Sequence, residues 1–291
     1  MKSGFCAIVG RANVGKSTLV NQLVGEKVSI VSSKSQTTRH AIRGIITDQR
    51  GQIVFVDTPG MHRPKNKLDD FMLERIDESL VDMDVILFMV DISEGIGPGD
   101  VFMAKKLPPG VPKFLLLNKI DLIDEKTLFE NKEKVHELGD FDGVIAVSAI
   151  IPQTVEGLKD LIFEHLPEGP NYYPEDTFTD LSDEMLICEI IREKALHYLD
   201  EEIPHGIAVV LDEYKQEEKG LYMFATIIVE KPSHKGIVIG KGGRKLKGIG
   251  KAARLELSEL FSQPVYLELW VKVKSGWRKS SHYLSEYGYK K

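Results

Sequence analysis

The sequence predicts an open α/β domain, with a mostly parallel sheet and helices on both faces, followed by a small α+β module. Three observations lead there. Residues 1–166 alternate short β-branched runs with longer amphipathic stretches. A segment rich in Pro, Gly and acidic residues, 166–180, interrupts that rhythm. After it the order of elements changes and the charge turns basic.

The apolar runs at 5–9, 53–56, 85–90, 114–117 and 144–147 hold four to six consecutive apolar residues. Such runs mark strands buried on both faces, as in a parallel sheet covered by helices. Segments 16–24, 67–81 and 154–165 read as the helical crossovers, and a ligand of such a sheet sits at the carboxyl ends of its strands. Segment 166–180 reads as a linker between domains. Beyond it, 183–200 reads as a helix, and 206–214 and 221–230 as strands joined by a charged turn. A Gly-rich turn, a helix at 244–261 and a strand at 265–273 follow, for an α-β-β-α-α-β order. The boundaries are 1–168, a linker at 169–181, the module at 182–275 and a tail at 276–291.

Composition excludes several classes. With 291 residues, 42% hydrophobic and 28% charged, the chain reads as an ordinary globular protein of two domains. No apolar run approaches the ~20 residues that cross a bilayer. The N-terminus runs straight into a strand-like segment and lacks the shape of a signal peptide. Cys6 and Cys188 are too far apart in sequence for a metal motif and form no disulfide framework, so buried free thiols and a cytoplasmic location are expected. Residues 231–291 carry 14 Lys+Arg against 4 Asp+Glu, while the rest carries 24 against 40. An acidic body with a basic end points to a polyanionic partner at that end, a nucleic acid or an anionic membrane.

Gly10, Arg11, Ala12, Asn13, Val14, Gly15, Lys16 and Ser17 fit G-x-x-x-x-G-K-[ST] between a predicted strand and a predicted helix. The glycines let backbone N–H groups cradle phosphate, and the helix N-terminus adds positive potential. Lys16 should reach the β- and γ-phosphates and the Ser17 hydroxyl should ligate Mg²⁺. Asp57, Thr58, Pro59 and Gly60 close the next buried strand, placing a carboxylate to hold the metal and an N–H to meet the γ-phosphate. Asn118, Lys119, Ile120 and Asp121 close another, where the Asp121 carboxylate can accept two hydrogen bonds from guanine and would be left unpaired by adenine. Ser148 and Ala149 close a further strand, behind the guanine carbonyl. Met61 stands where a Gln would orient the attacking water in Ras-type enzymes, so intrinsic hydrolysis should be slow. No catalytic base is assigned, and His62 reads as a solvated loop residue.

These four strand ends resemble the translation-factor-related GTPases, and Ser35, Gln36, Thr37, Thr38 and Arg39 match that class's Thr-Thr-Arg loop. The resemblance places the Mg²⁺-sensing threonine at Thr38. In the module, Ile237, Val238, Ile239, Gly240, Lys241, Gly242, Gly243, Arg244 and Lys245 carry a G-x-x-G loop before a basic helix. In a KH module that loop clamps the backbone of about four unpaired nucleotides. The element order is that of a type II KH domain, with Ile237–Ile239 expected to help form a groove for bases. Trp277, beside Arg278 and Lys279, either stacks on a base or packs on its own domain.

Taken together, an α/β P-loop GTPase domain, the Leu-Pro-Glu-Gly start at 166–169, the G-x-x-G loop and the Leu-Glu-Leu-Trp-Val-Lys-Val-Lys run at 267–274 resemble the Era family of bacterial GTPases. The resemblance implies a GTP/GDP switch using Mg²⁺. It implies binding to the 3′ end of small-subunit ribosomal RNA and to the small ribosomal subunit during maturation. It further implies loose association with the inner face of the membrane, and the expected state is a monomer. Rival readings are a tRNA-modifying GTPase, which would end in a catalytic cysteine, a tandem-G-domain relative, which would show a second P-loop, and a membrane-docking switch.

Overall fold

A computed structural model describes residues 1–32, 34, 37–60, 65–199 and 203–289. The chain divides into two compact units, Met1–Pro64 with Met72–Asp180, and Lys65–Phe71 with Leu181–Lys291.

The first unit is built on a six-stranded sheet. Its strands are β1 (Lys2–Val9), β2 (Ile42–Asp48), β3 (Gly51–Asp57), β4 (Val85–Asp91), β5 (Lys113–Asn118) and β6 (Gly143–Ala146), in the order β2-β3-β1-β4-β5-β6. All neighbours are parallel except β2 and β3, a hairpin in which Ile42 pairs with Asp57. Because side chains alternate along a strand, β1 sends Cys6 and Ile8 to one face and Ala7 and Val9 to the other. The first face is covered by α1 (Lys16–Val24) and α5 (Pro152–His165), through Leu19, Leu23, Leu158 and Ile162. The second is covered by Ile76, in the part of α2 (Lys67–Glu78) that belongs to this unit, and by Met103 of α3 (Pro98–Ala104). A further helix, α4 (Glu125–Lys132), follows β5.

Strand β2 is absent from the sequence reading. Ile-Arg-Gly-Ile-Ile-Thr-Asp mixes charge and glycine into an edge strand, which needs no continuous apolar run. The segment after α5 covers exposed edges. Lys2 bridges to Glu168 and Gly44 to Thr179, and the Ile45 N–H donates to the Phe178 carbonyl at 2.9 Å. The buried Gln52 amide accepts from the N–H groups of Tyr172 and Tyr173 at 2.8 and 3.0 Å. Residues 168–180 therefore run along the first unit, held by backbone pairing, and the compact units part at Asp180.

The second unit carries α6 (Asp183–Tyr198), β7 (Ala208–Glu217), β8 (Gly220–Val229), α7 (Pro232–Ile239), α8 (Arg244–Leu260), β9 (Val265–Val273) and α9 (Ser281–Glu286). Its sheet runs β7-β8-β9, antiparallel then parallel. The strands reach further into the charged stretch than predicted, leaving Glu218 and Lys219 as the turn. On β8, Leu221, Met223, Ala225 and Ile227 are buried at every second position, and on α8 Ile249, Ala253 and Leu257 recur every fourth. Those two periodicities pack one helix stripe on one sheet face. Trp277 is wholly buried and donates its indole N–H to the Gly206 carbonyl at 3.1 Å. It is a core residue of this unit, which settles the choice between stacking and packing. Cys6 is buried, Cys188 partly so, and both are free thiols.

Candidate functional sites

At the carboxyl end of β1 the chain turns into α1 through Gly10–Gly15. Asn13 and Gly15 have φ of 65° and 104°, left-handed values that turn successive N–H groups to one side. A Cβ on Gly15 would lie 2.3 Å from Asn118 Nδ2, so only glycine fits. Lys16 is buried and donates to the carbonyls of Gly10 and Arg11 at 3.0 and 2.8 Å. Burial lowers its pKa from 10.5 to about 8, against the opposing pull of Asp57.

Ser17, Thr38 and Asp57 meet beside it. The Ser17 hydroxyl donates to Asp57 Oδ2 at 2.7 Å and lies 2.8 Å from the Thr38 hydroxyl. Asp57 is fully buried and, near the Ser29 hydroxyl, its Oδ1 has no partner in hydrogen-bond geometry. Burial raises the Asp57 pKa, opposed by Lys16 and by the hydroxyls of Ser17, Ser29 and Thr38. A buried carboxylate with an orphaned oxygen and two hydroxyls at hand is a hard, all-oxygen donor set suited to Mg²⁺. Thr58 holds the end of β3 against β1, its hydroxyl donating to the Ile8 carbonyl at 2.9 Å. Pro59 leads to Gly60, where a Cβ would come within 2.6 Å of Ala12 Cα, so the two loops touch. Met61, His62, Ser35 and Gln36 lie outside the described residues.

Asn118, at the end of β5, ties two loops together. Its Nδ2 donates to the Val14 carbonyl at 2.7 Å and its Oδ1 accepts the Ala149 N–H at 2.9 Å. Ser148 is buried, its N–H donating to the Thr154 hydroxyl at 2.9 Å. Lys119 adopts φ 67°, and Ile120–Leu122 form a short helical turn on which Asp121 is exposed. A cavity of about 430 Å³ runs between Ala12, Asn13, Gly15–Thr18, Thr38, Gly60 and Lys119, a volume typical of ligand sites. Asn118, Asp121 and Ser148 stand outside its lining. Arg11 turns away from it, donating to buried Asp100 at 2.8 Å.

A second concavity belongs to the C-terminal unit. Gly240, Gly242 and Gly243 all have positive φ, 72°, 61° and 76°, and connect α7 to α8. Lys241 sits within this loop and Arg244 and Lys245 open α8, Arg244 donating to the Lys241 carbonyl at 3.3 Å. Ile237 is 42% exposed and Ile239 partly buried, but Val238 is fully buried. Val238 therefore belongs to the core and not to a groove for bases, because helix periodicity turns consecutive residues about 100° apart. The groove itself, about 430 Å³, is lined by Gly243, Leu246, Lys247, Gly250, Lys251, Arg254, Leu267 and Leu269. Lys247, Lys251 and Arg254 were not singled out from sequence. Their i, i+4, i+7 spacing puts three cations on one face of α8, a signal that helix periodicity makes readable.

A family model described as 50S ribosome-binding GTPase matches residues 5–119, and one described as KH domain matches residues 202–278. GTPase Era of Alkaliphilus metalliredigens (strain QYMF) is 49% identical over 99% of both chains. GTPase Era of Clostridium botulinum (strain Okra / Type B1) is 47% identical over 100% of this chain and 99% of its own. Two solved structures superpose with a TM-score of 0.94 at 41% identity, covering 99% of each chain. One is a variant of Aquifex aeolicus Era bound to GDP and AlF4−, and the other is Era with MgGDPNP and nucleotides 1506–1542 of 16S ribosomal RNA.

Proposed function

The chain belongs to the family of the GTPase Era, and on that premise we propose that it is a slow GTP-hydrolysing switch that binds the 3′ end of small-subunit ribosomal RNA and assists small-subunit maturation. The observation that carries the reading is the pairing of a strand-end phosphate cradle with a separate basic, apolar-floored groove in one chain.

In this reading the N–H groups of Gly10–Ser17 surround the phosphates, and Lys16 turns from the Gly10 and Arg11 carbonyls to the phosphate oxygens. Ser17, Thr38 and Asp57 hold Mg²⁺, which when bound neutralises charge on the β- and γ-phosphates. Thr38 and Gly60 lie on loops that reach the γ-phosphate only in the triphosphate state, which makes them the switch. Asn118 keeps the phosphate loop and the Ser148–Ala149 loop in register, and Asp121 accepts from the guanine edge. Met61 offers no amide to orient water, so turnover is expected at about 10⁻⁴–10⁻³ per second, the scale of Ras without its activator.

In the second unit Gly240–Gly243 bring the RNA backbone close. Lys241, Arg244, Lys245, Lys247, Lys251 and Arg254 neutralise it, and Leu246, Leu267 and Leu269 floor the groove against which bases lie. A cytoplasmic location follows from that partner, and among the described residues no helix is long and apolar enough to cross a membrane.

The test is RNA binding with a GTP analogue and then with GDP, comparing a pyrimidine-rich ribosomal 3′-end oligonucleotide with a scrambled one. Tight, sequence-selective binding favoured by the GTP analogue is expected. Weak binding to both oligonucleotides, together with equal affinity for anionic vesicles, would replace the RNA reading with a docking module.

A further inference from the structure

Asp91 ends β4 beside the guanine-reading segment, is 2% exposed, and lies outside the motifs discussed above. Its two carboxylate oxygens have different duties. Oδ1 accepts from the Ser93 N–H at 3.0 Å and from the Ser93 hydroxyl at 2.6 Å. Oδ2 faces Lys119, whose ammonium lies 2.5 Å away. The strands beneath are locked together, with Asp91 in register with Asn118 and the Ile92 N–H donating to the Asn118 carbonyl at 3.0 Å. The carboxylate is thus fixed by Ser93 and by the paired strands, and it holds the Lys119 ammonium in an ion pair.

Lys119 is at the same time a wall of the nucleotide cavity, while Asp91 and Ser93 do not line it. Its tip is anchored on Asp91 and its backbone is fixed in a left-handed conformation at φ 67°. The four-carbon stem runs between these two fixed ends, at the position next to Asn118 and two residues from Asp121. A planar base can lie against such a stem. A free lysine would lose its rotamer freedom when the base arrives, whereas one already tethered loses little.

We propose that Asp91, held by Ser93, is a positioning residue for guanine recognition, fixing the Lys119 stem as a preformed platform for the base. This rests on the assignment of the cavity to a guanine nucleotide and names a residue that acts on it from behind.

The experiment measures affinity for GDP, ADP and tripolyphosphate, which has no base, in the full-length protein and in Asp91→Asn, Lys119→Met and the double variant. Asparagine keeps the size of the side chain and an acceptor for Ser93 but removes the charge that holds the ammonium. GDP affinity is expected to fall about tenfold in Asp91→Asn, with tripolyphosphate affinity unchanged. In the Lys119→Met background, where no ammonium remains to be held, the same substitution should cost less than twofold. Ser93→Ala, which keeps the carboxylate and removes its hydroxyl donor, should give a smaller loss in the same GDP-only pattern, and it decides the matter if Asp91→Asn does not fold. Equal losses for GDP and tripolyphosphate, an undiminished effect in the Lys119→Met background, or no effect at all would each overturn the proposal. Failure of the unaltered protein to prefer GDP over ADP would instead overturn the guanine assignment itself.

Discussion

The proposed role of the Lys16 ammonium at the phosphates gives nucleotide binding a pH dependence that can be worked out in advance. In the empty loop its partners are two neutral carbonyls in a buried site, and its pKa falls from 10.5 to about 8. That displacement corresponds to about 3 kcal/mol of penalty on the charged form in the folded, empty protein. The penalty is present in full below pH 8. It is relieved as pH rises from 8 towards 10.5, because across that window the unfolded chain binds the proton and the folded chain has released it. A polyphosphate reverses the balance by supplying anionic oxygens at the same atom, so the bound form holds Lys16 charged. The terminal phosphate, with a second pKa of about 6, is already ionised above pH 7. Binding is then expected to take up about 0.5 proton at pH 8, and GDP affinity to fall about fivefold between pH 7 and 8.7. Titration calorimetry in buffers of different ionisation enthalpy reads the proton uptake directly. Lys16→Arg supplies the control, because a guanidinium stays charged throughout and its profile should be flat whatever its affinity. Constant affinity over that range with no proton exchange would refute a desolvated Lys16 as the phosphate ligand.

Gly15→Ala is expected to break the Asn118 bonds to Val14 and Ala149, since the new Cβ would meet Asn118 Nδ2 at 2.3 Å. Two buried bonds represent about 3 kcal/mol, seen in calorimetry as a fall of roughly 6–12 °C in melting temperature together with lost GDP binding. Gly242→Asp should leave GDP affinity and folding intact, because a Cβ there would meet nothing beyond its chain neighbours within 4 Å and aspartate tolerates positive φ. It should abolish binding of the ribosomal oligonucleotide by facing its phosphates with a carboxylate. Replacing Lys247, Lys251 and Arg254 together by Ala should lower the slope of log affinity against log salt by about 2 for single-stranded RNA, and an unchanged slope would remove α8 from the interface. Trp277→Ala should cost about 3–5 kcal/mol of stability in urea unfolding of the second unit, the signature of a core residue.

The candidate nucleotide motifs stood out because each is a short run whose residue types answer one chemical demand, and each follows a strand. That strand is buried in β3 and β5. It is only partly so in β6, which lies at the sheet edge with Val144 38% exposed, against the expectation of burial on both faces. Gly10–Ser17 needs no partner elsewhere in the chain to be recognised. Strand β2 was not legible, because Arg43, Gly44 and Asp48 break the apolar pattern and its pairing with β3 comes from register. Segment 168–180 carried the composition of a linker, yet Gln52, far away in sequence, satisfies two of its N–H groups. Val238 shows the converse failure. Three neighbouring apolar residues read as one surface, and the helix sends the middle one inward.

What sequence hides most completely is the set of residues that hold the motif side chains in place. Arg11 is drawn out of the phosphate loop by Asp100, Lys119 is held by Asp91, and Ser148 is braced by Thr154. Each anchor lies outside the motif it serves, and only one of the three is near it in sequence, so spacing cannot reveal it. Each is nonetheless a physical requirement. A loop of left-handed residues such as Asn13, Gly15 and Lys119 has high intrinsic freedom, and its geometry persists only where the surrounding structure over-determines it. In the proposed reading the motifs supply the chemistry of recognition, and the buried carboxylates of Asp91 and Asp100 supply the rigidity that lets binding energy go into the nucleotide and not into ordering the site. Substitutions at those anchors should therefore weaken nucleotide binding while leaving every motif residue unchanged.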